Sequence, residues 1–247
     1  MSVLVVTGGG RGIGAAICRL AADHGYDVVV NYATDHRSAE SVAADIRAKG
    51  RAALAVQADV TDEAAVDHLF AQADTLGPLT ALVANAAITG NLLGRLEDVP
   101  LPTFRHVMDT NTTGVFLPAR AALRRMSTRH GGHGGAIVVI SSTAARRSSP
   151  GEWVHYAASK AAVETLAHGL SIEVAPDGVR VNTVSPGTVR TDLHAAAGAP
   201  DRPDRVATRI PLGRPGEPEE IAEAALWLLS PKASFTTGAT LHVSGGY

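Results

Sequence analysis

Short apolar runs alternate along this chain with longer segments that mix apolar and polar residues at a helical period. Val3–Thr7, Asp27–Asn31, Ala52–Gln57, Ala81–Ala84, Ala136–Ser141, Arg180–Val184 and Thr240–Val243 read as strands. Most are rich in Val, Leu and Ile without alternation, the pattern of strands buried on both faces of a parallel sheet. Between them lie helical stretches, the first two closed by Gly25 and Gly50, where a helix end favours glycine. Thr61-Asp62-Glu63 opens the third with a capping residue and acids that suit the positive end of a helix. The helix from about His155 ends before Pro176 and carries the apolar stripe Val163, Leu166, Ala167, Leu170 and Val174. This alternation predicts one α/β domain over residues 1–247, a Rossmann-type doubly wound parallel sheet of about seven strands.

Two segments break the pattern. Arg129–Gly135 (RHGGHGG) offers His130 and His133 as metal ligands, but its glycines supply no rigid face to hold them. A solvated turn is the expectation, and no metal site. The stretch from Gly187 to Gly216, interrupted by Pro200, Pro203, Pro211 and Pro215, is expected to form a mobile substrate loop around residues 188–215. It follows a strand end, where open α/β sheets bind ligands.

Composition narrows the function classes. Lys and Arg number 22 against 24 Asp and Glu, a net charge of −2, which gives no electrostatic case for nucleic acid. No apolar run reaches the roughly 18 residues of a membrane span, and the first apolar residues run directly into a glycine turn. The expectation is a cytoplasmic protein. The single cysteine, Cys18, sits among Ala16, Ile17 and Leu20 and reads as a small core residue.

The first strand ends in Thr7-Gly8-Gly9-Gly10-Arg11-Gly12-Ile13-Gly14, and a helix follows. Glycines allow a sharp turn and close approach to a pyrophosphate, while the helix N-terminus offers its free N–H groups. An NAD site of this kind places an acid about 20 residues on, at the tip of the second strand. Here that tip reads Val30-Asn31-Tyr32-Ala33-Thr34, and Arg11 and Arg37 stand ready for a 2′-phosphate. NADP(H) is therefore preferred over NAD(H), with Asp35 the residue through which NAD(H) remains possible.

His155-Tyr156-Ala157-Ala158-Ser159-Lys160 places a phenol and an ammonium one helical turn apart. Alone, such spacing is more often structural. Upstream, Val138–Ser142 is a strand ending in hydroxyls, and Asn111 interrupts a helix in Met108–Gly114.

With these residues in place the whole chain resembles the short-chain dehydrogenase/reductase family. TGGGRGIG matches the family's cofactor loop, Asp59-Val60 the pair after the third strand, Ala84-Asn85-Ala86-Ala87 the motif after the fourth, and Pro186–Thr191 the nicotinamide-side motif. Asn111, Ser142, Tyr156 and Lys160 fall on the catalytic tetrad. Two departures, Ala84 and Ala87, bear on loop stability and backbone approach. Ser244 stands where the family has an acid.

The resemblance implies hydride transfer between nicotinamide and a carbonyl or secondary alcohol, with Tyr156 as general acid/base. Lys160 would hold the nicotinamide ribose, Ser142 the substrate oxygen, and Asn111 a water linking Lys160 to solvent. Ser141 is the rival serine. The implied cofactor residues are Thr7, Gly8, Arg11, Gly12, Ile13 and Gly14 in the loop, Asn31, Tyr32 and Thr34 at the second strand, and Asp59, Val60 and Asn85. Tyr156, Lys160, Pro186, Gly187, Val189 and Thr191 complete the set. Free tyrosine has a pKa near 10; a cation about 4 Å away, worth roughly 4 kcal/mol at an effective dielectric near 20, would lower it by up to about three units, and Lys160, helped by oxidised nicotinamide, is expected to bring Tyr156 into a useful range for acid/base work.

Substrate choice is expected from Arg146, Arg147, Trp153 and His155 before or at the helix, and from Leu193 and His194 after the Pro-Gly motif. The arginine pair fits a solvated basic loop or an anion site. Ala157, Ala158, Ala161 and Ala162 permit close helix approach, and the resemblance implies a homotetramer. The alternatives are an NAD-linked alcohol or sugar dehydrogenase of the same fold and a non-catalytic nucleotide sensor. A sensor has no need of a proton donor.

Overall fold

The computed structural model describes residues 2–247. All seven expected strands form: β1 (Ser2–Val6), β2 (Tyr26–Tyr32), β3 (Ala53–Gln57), β4 (Leu79–Ala84), β5 (Gly135–Ile140), β6 (Val179–Pro186) and β7 (Thr240–Val243). They pair in parallel in the order β3-β2-β1-β4-β5-β6-β7. The order reverses between β1 and β4, and at such a switch point a crevice opens beyond the strand ends.

The unbroken apolar runs serve two helical layers. Leu4 and Val6 of β1 pack toward α1 (Gly12–Asp23), α2 (His36–Ala48) and, from the C-terminal part of the chain, a helix over Pro218–Leu229. Val3 and Val5 of the same strand pack toward α3 (Glu63–Asp74) and the long helices over Gly114–Met126 and Val154–Val174. Successive residues of a strand point to opposite faces, so a strand covered on both sides shows no polar alternation.

Helix ends follow local chemistry. Asp62, rather than Thr61, caps α3, accepting from the N–H groups of Ala64 and Ala65. Asp35 caps α2 through Ser38. Next come α4 (Leu101–Met108), a π-turn over Asp109–Thr113, α5 (Gly114–Met126), α6 (Ala144–Arg147) and α7 (Val154–Val174). The π-turn is the interruption expected at Asn111, and α7 starts one residue before the expected His155. Cys18 is fully buried, and burial raises its thiol pKa, as a core residue requires.

The Gly187–Gly216 segment differs from the structureless loop expected. It holds α8 (Asp192–Ala196), α9 (Arg202–Val206) and a 3-10 turn over Ala207–Arg209 before α10 (Pro218–Leu229). Val189 and Gly216 pair as an isolated bridge, closing its base. Arg190 ties to Asp204 at 2.8 Å and Glu217 at 3.4 Å. The prolines punctuate short helices because proline suits a first helical turn, as Pro203 shows. No described helix is long and apolar enough to cross a membrane, and no described group of His, Cys, Asp or Glu could hold a metal ion.

Candidate active site

A cleft of about 1020 Å³ runs along the C-terminal strand ends, from the glycine loop to Trp153 and Tyr247. The glycine loop forms one end by close packing. Gly8 and Gly12 adopt positive φ (62° and 52°). A Cβ on Gly14 would lie 2.3 Å from the Gly8 carbonyl oxygen and 2.7 Å from Asn85 Nδ2. The α1 N-terminus lacks a side-chain cap, since its N-cap residue is Arg11. Its first-turn N–H groups are therefore available to an anion. This cradle, in a cleft of this size, fits a nicotinamide dinucleotide.

The polar residues here are mostly spent on the backbone. Thr7 Oγ1 accepts from the N–H groups of Asn85 (2.9 Å) and Ala86 (3.1 Å). Asn85 Nδ2 donates to the carbonyls of Thr7 and Gly8. Asn31 Oδ1 accepts from Gly8 N–H at 3.2 Å, and its Nδ2 donates to Ala58 O at 3.0 Å. The Asn31 amide thus staples the glycine loop to the end of β3; it is a bracket more than a ribose reader. Asp59 Oδ1 accepts from the N–H and hydroxyl of Thr61.

Of the residues expected to hold cofactor, Gly8, Arg11, Gly12, Ile13, Asn31 and Tyr32 line the cleft, as do Thr34, Asp59, Val60 and Asn85. Pro186, Gly187, Val189 and Thr191 line it from the opposite lip. Thr7 and Gly14 lie just behind the wall, both buried. Asp35 also lines the cleft, its carboxylate taking the Ser38 N–H at 3.0 Å and hydroxyl at 2.6 Å. These bonds, and then the nearby Arg11 and Arg37 guanidinium groups, hold its pKa below the usual value.

Tyr156, Lys160 and Ser142 meet at the middle of the cleft. Lys160 is buried, with Nζ 2.8 Å from the Ile140 carbonyl and 5.7 Å from the centre of the Tyr156 ring. An ammonium has three donors, so two remain. The two serines separate as neighbours on a strand end must. Ser141 turns away to donate to Glu164 Oε1 at 2.8 Å, whereas Ser142 faces Tyr156 and accepts from Ala144 N–H.

The chain's own groups do not by themselves produce the acidification expected of Tyr156 with Lys160 and oxidised nicotinamide. Burial pushes the phenol up to about 12, against smaller opposing effects of the Ser142 hydroxyl and the Arg202 guanidinium. Lys160 is itself lowered to about 8 by burial, with Glu164 opposing. Removing two ionisable groups from water outweighs a cation that sits beside the ring rather than against the hydroxyl.

Asn111 does not reach the cleft. It is fully buried, its Oδ1 accepting from Ile88 N–H (2.8 Å) and its Nδ2 donating to Ile88 O and Ser159 Oγ (both 2.9 Å). Both amide hydrogens are taken, so the side chain's observed work is to lock the π-turn onto the β4 loop and α7. A water-holding role would rest on an oxygen of this residue.

The far end is built from side chains. Trp153 stacks on His194 (6.1 Å between centroids, 25° interplanar) and meets Tyr156 edge-on at 6.3 Å. Arg202 covers the Trp153 ring at 4.7 Å and pairs with Glu152 at 2.6 Å. His194 Nε2 donates to Val189 O, and burial lowers its pKa to about 4, so the ring is neutral. Leu193 lines the cleft as expected, whereas His155 is buried behind it against Thr89 O. Arg146 turns outward to His242, while Arg147 faces the cleft. Sequence reasoning missed Glu152, Arg202, Arg209 and Tyr247, since no motif or spacing links residues so far apart in the chain.

Comparisons with known proteins place this geometry. A family model described as enoyl-(acyl carrier protein) reductase matches residues 8–247. The chain is 47% identical to the uncharacterized oxidoreductase YgfF of Escherichia coli K12, over the full length of both. It superposes with a TM-score of 0.92 on a short-chain type dehydrogenase/reductase from Mycobacterium marinum, at 36% identity, covering 100% of this chain and 95% of that one. A short chain dehydrogenase from Burkholderia cenocepacia in complex with NADP matches with a TM-score of 0.90 at 34% identity, covering 98% and 96%.

Proposed function

We propose that this chain, which belongs to the short-chain dehydrogenase/reductase family of oxidoreductases acting on carbonyl and alcohol groups, is an NADP(H)-preferring enzyme with Tyr156 as its proton donor and acceptor. The observation that carries this reading is the convergence of Tyr156, Ser142 and Lys160 on one cleft wall, beside a loop packed to admit a dinucleotide. When bound, the nicotinamide supplies or accepts the hydride.

The chain's own residues handle the proton. A phenol held near 12 is protonated at neutral pH and enters carbonyl reduction as an acid. Ser142, beside Tyr156, would hydrogen-bond the same substrate oxygen. Lys160 lines the cleft, and its two remaining donors would hold the nicotinamide ribose, while its charge favours the tyrosinate formed when the proton leaves. Trp153, buried beside Tyr156, excludes water from the transfer.

The NADP(H) preference is supported by Arg11, which lines the cleft and forms no ion pair among the described residues; Arg37, also without an ion pair, does not line the cleft. Both lie close enough to Asp35 to stabilise its carboxylate, whose oxygens Ser38 already occupies. The second reading, NAD(H) use, follows from the same Asp35, because it does line the cleft. Separate titrations of NADPH and NADH decide between them. NADPH binding at least ~10-fold tighter is expected, about 1.4 kcal/mol; equal affinities would refute the preference. Tyr156→Phe should lose ~10²–10⁴-fold in turnover while retaining cofactor binding.

Exposed Phe116 on α5 and Ile172 on α7 support a homotetramer built on these helices. Light scattering should give four times the 25.4 kDa chain mass, and a monomer would refute it.

A further inference from the structure

The cleft wall opposite the glycine loop carries two arginines that the reaction does not use. Arg147 ends α6, and Arg209 ends the 3-10 turn after α9. Both converge on the ring of Tyr247, Arg147 at 3.7 Å and Arg209 at 5.8 Å from its centre. All three line the cleft.

Neither guanidinium has an acid partner among the described residues. Glu152, which lines the cleft, is committed to Arg202, and Asp204 and Asp201 around α9 to Arg190 and Arg205. Asp192 carries no such pair but follows Thr191, which packs against Gly12 at the cofactor end. A guanidinium lying over an aromatic face keeps its edge N–H groups free, in a fork that matches carboxylate and phosphate oxygens.

The backbone at Arg147 is also held in an unusual state. Ser148 and Ser149, the next two residues, both adopt positive φ (62° and 44°) without being glycine. Such strain persists where surrounding structure enforces it and clusters at ligand clamps. Arg146, one residue earlier, turns out of the cleft to His242.

We propose that Arg147 and Arg209 form an anion subsite on the cleft wall, so that the substrate carries a carboxylate or phosphate at an end remote from the carbon that Tyr156 serves. This rests on the carbonyl/alcohol reading above. It deepens that reading by separating an anionic keto substrate from a neutral ketone.

The test compares matched substrates with the full-length protein and NADPH: acetoacetate against acetoacetamide, levulinate against levulinamide, and hydroxyacetone phosphate against hydroxyacetone. The charged member of at least one pair should show ~10–100-fold higher kcat/KM, the value of a charge-assisted hydrogen-bond pair. The pair that does so distinguishes carboxylate from phosphate. Arg147→Gln and Arg209→Gln should each lower that ratio, and together bring it near unity. Arg146→Gln, which removes the same charge one residue away, should leave it in place.

Equal rates on both members of every pair in the unmodified protein would overturn the subsite. So would a ratio indifferent to the double substitution. A loss of NADPH affinity matching the loss of ratio would reassign both arginines to the cofactor. Turnover of neutral ketones that depends on Tyr156, without charge preference, would leave the reaction reading standing and the subsite refuted. Failure to bind NADPH at all would remove both.

Discussion

The two ends of the cleft are made differently. At the glycine loop the wall is backbone, and polar side chains such as Asn31, Asn85 and Thr7 are spent holding that backbone in place. At the far end the wall is side chain, with Trp153, His194 and Arg202 stacked in series and two arginines left without acid partners. Buried Trp153 Nε1 and His194 Nδ1 have no hydrogen-bond partner. Backbone geometry tolerates little change, because a misplaced atom has no rotamer to escape into. A side-chain wall can be retuned one residue at a time. One fold can therefore keep its cofactor end fixed while varying what it accepts at the other.

The sharpest way to break this contrast is Gly14→Ala. Its Cβ meets the Gly8 carbonyl and cannot be relieved by a side-chain rotation. Calorimetry should show NADPH affinity lowered ~100-fold, equivalent to about 3 kcal/mol of overpacking. Unchanged affinity would mean that the loop is softer than its packing suggests.

Next comes the pH dependence carried by Lys160. Its folded pKa of about 8 lies below the ordinary 10.5, so between those values the unfolded chain holds a proton that the native chain has lost. Unfolding free energy therefore rises with pH across that window, by up to about 3 kcal/mol. Denaturation of Lys160→Met at several pH values should lack this rise. An equal slope in both proteins would place the titration elsewhere.

Asn111→Ala should cost about 2 kcal/mol, because it removes a buried bond to Ser159 Oγ and leaves the part-buried N–H and carbonyl of Ile88 without their partner. The loss should appear in the denaturant midpoint, and a neutral result would show water replacing the amide. The smallest effect is expected at the side-chain end. His194→Phe keeps a ring on Trp153 but loses the bond to Val189, and should move substrate KM by less than ~10-fold with NADPH affinity unchanged. A large loss of NADPH affinity would erase the distinction between the two ends.

Sequence alone determined the seven strands, the glycine loop and the Tyr156–Lys160 spacing, because these depend on local period and on residues near one another in the chain. The preference for Ser142 over Ser141 comes from the family resemblance and not from the residue pattern, which could not show the strand's orientation, nor that Asn31 and Asn111 are occupied by distant backbone. Spacing also reveals the cation beside Tyr156 but not the water removed around both groups, whose loss raises the phenol pKa among the chain's own residues. The order inside the 187–216 segment and the meeting of Arg147, Arg209 and Tyr247 belong to tertiary structure alone. Those contacts join residues about 40 to 100 positions apart, and no local pattern encodes which of many such pairs the closed chain brings together.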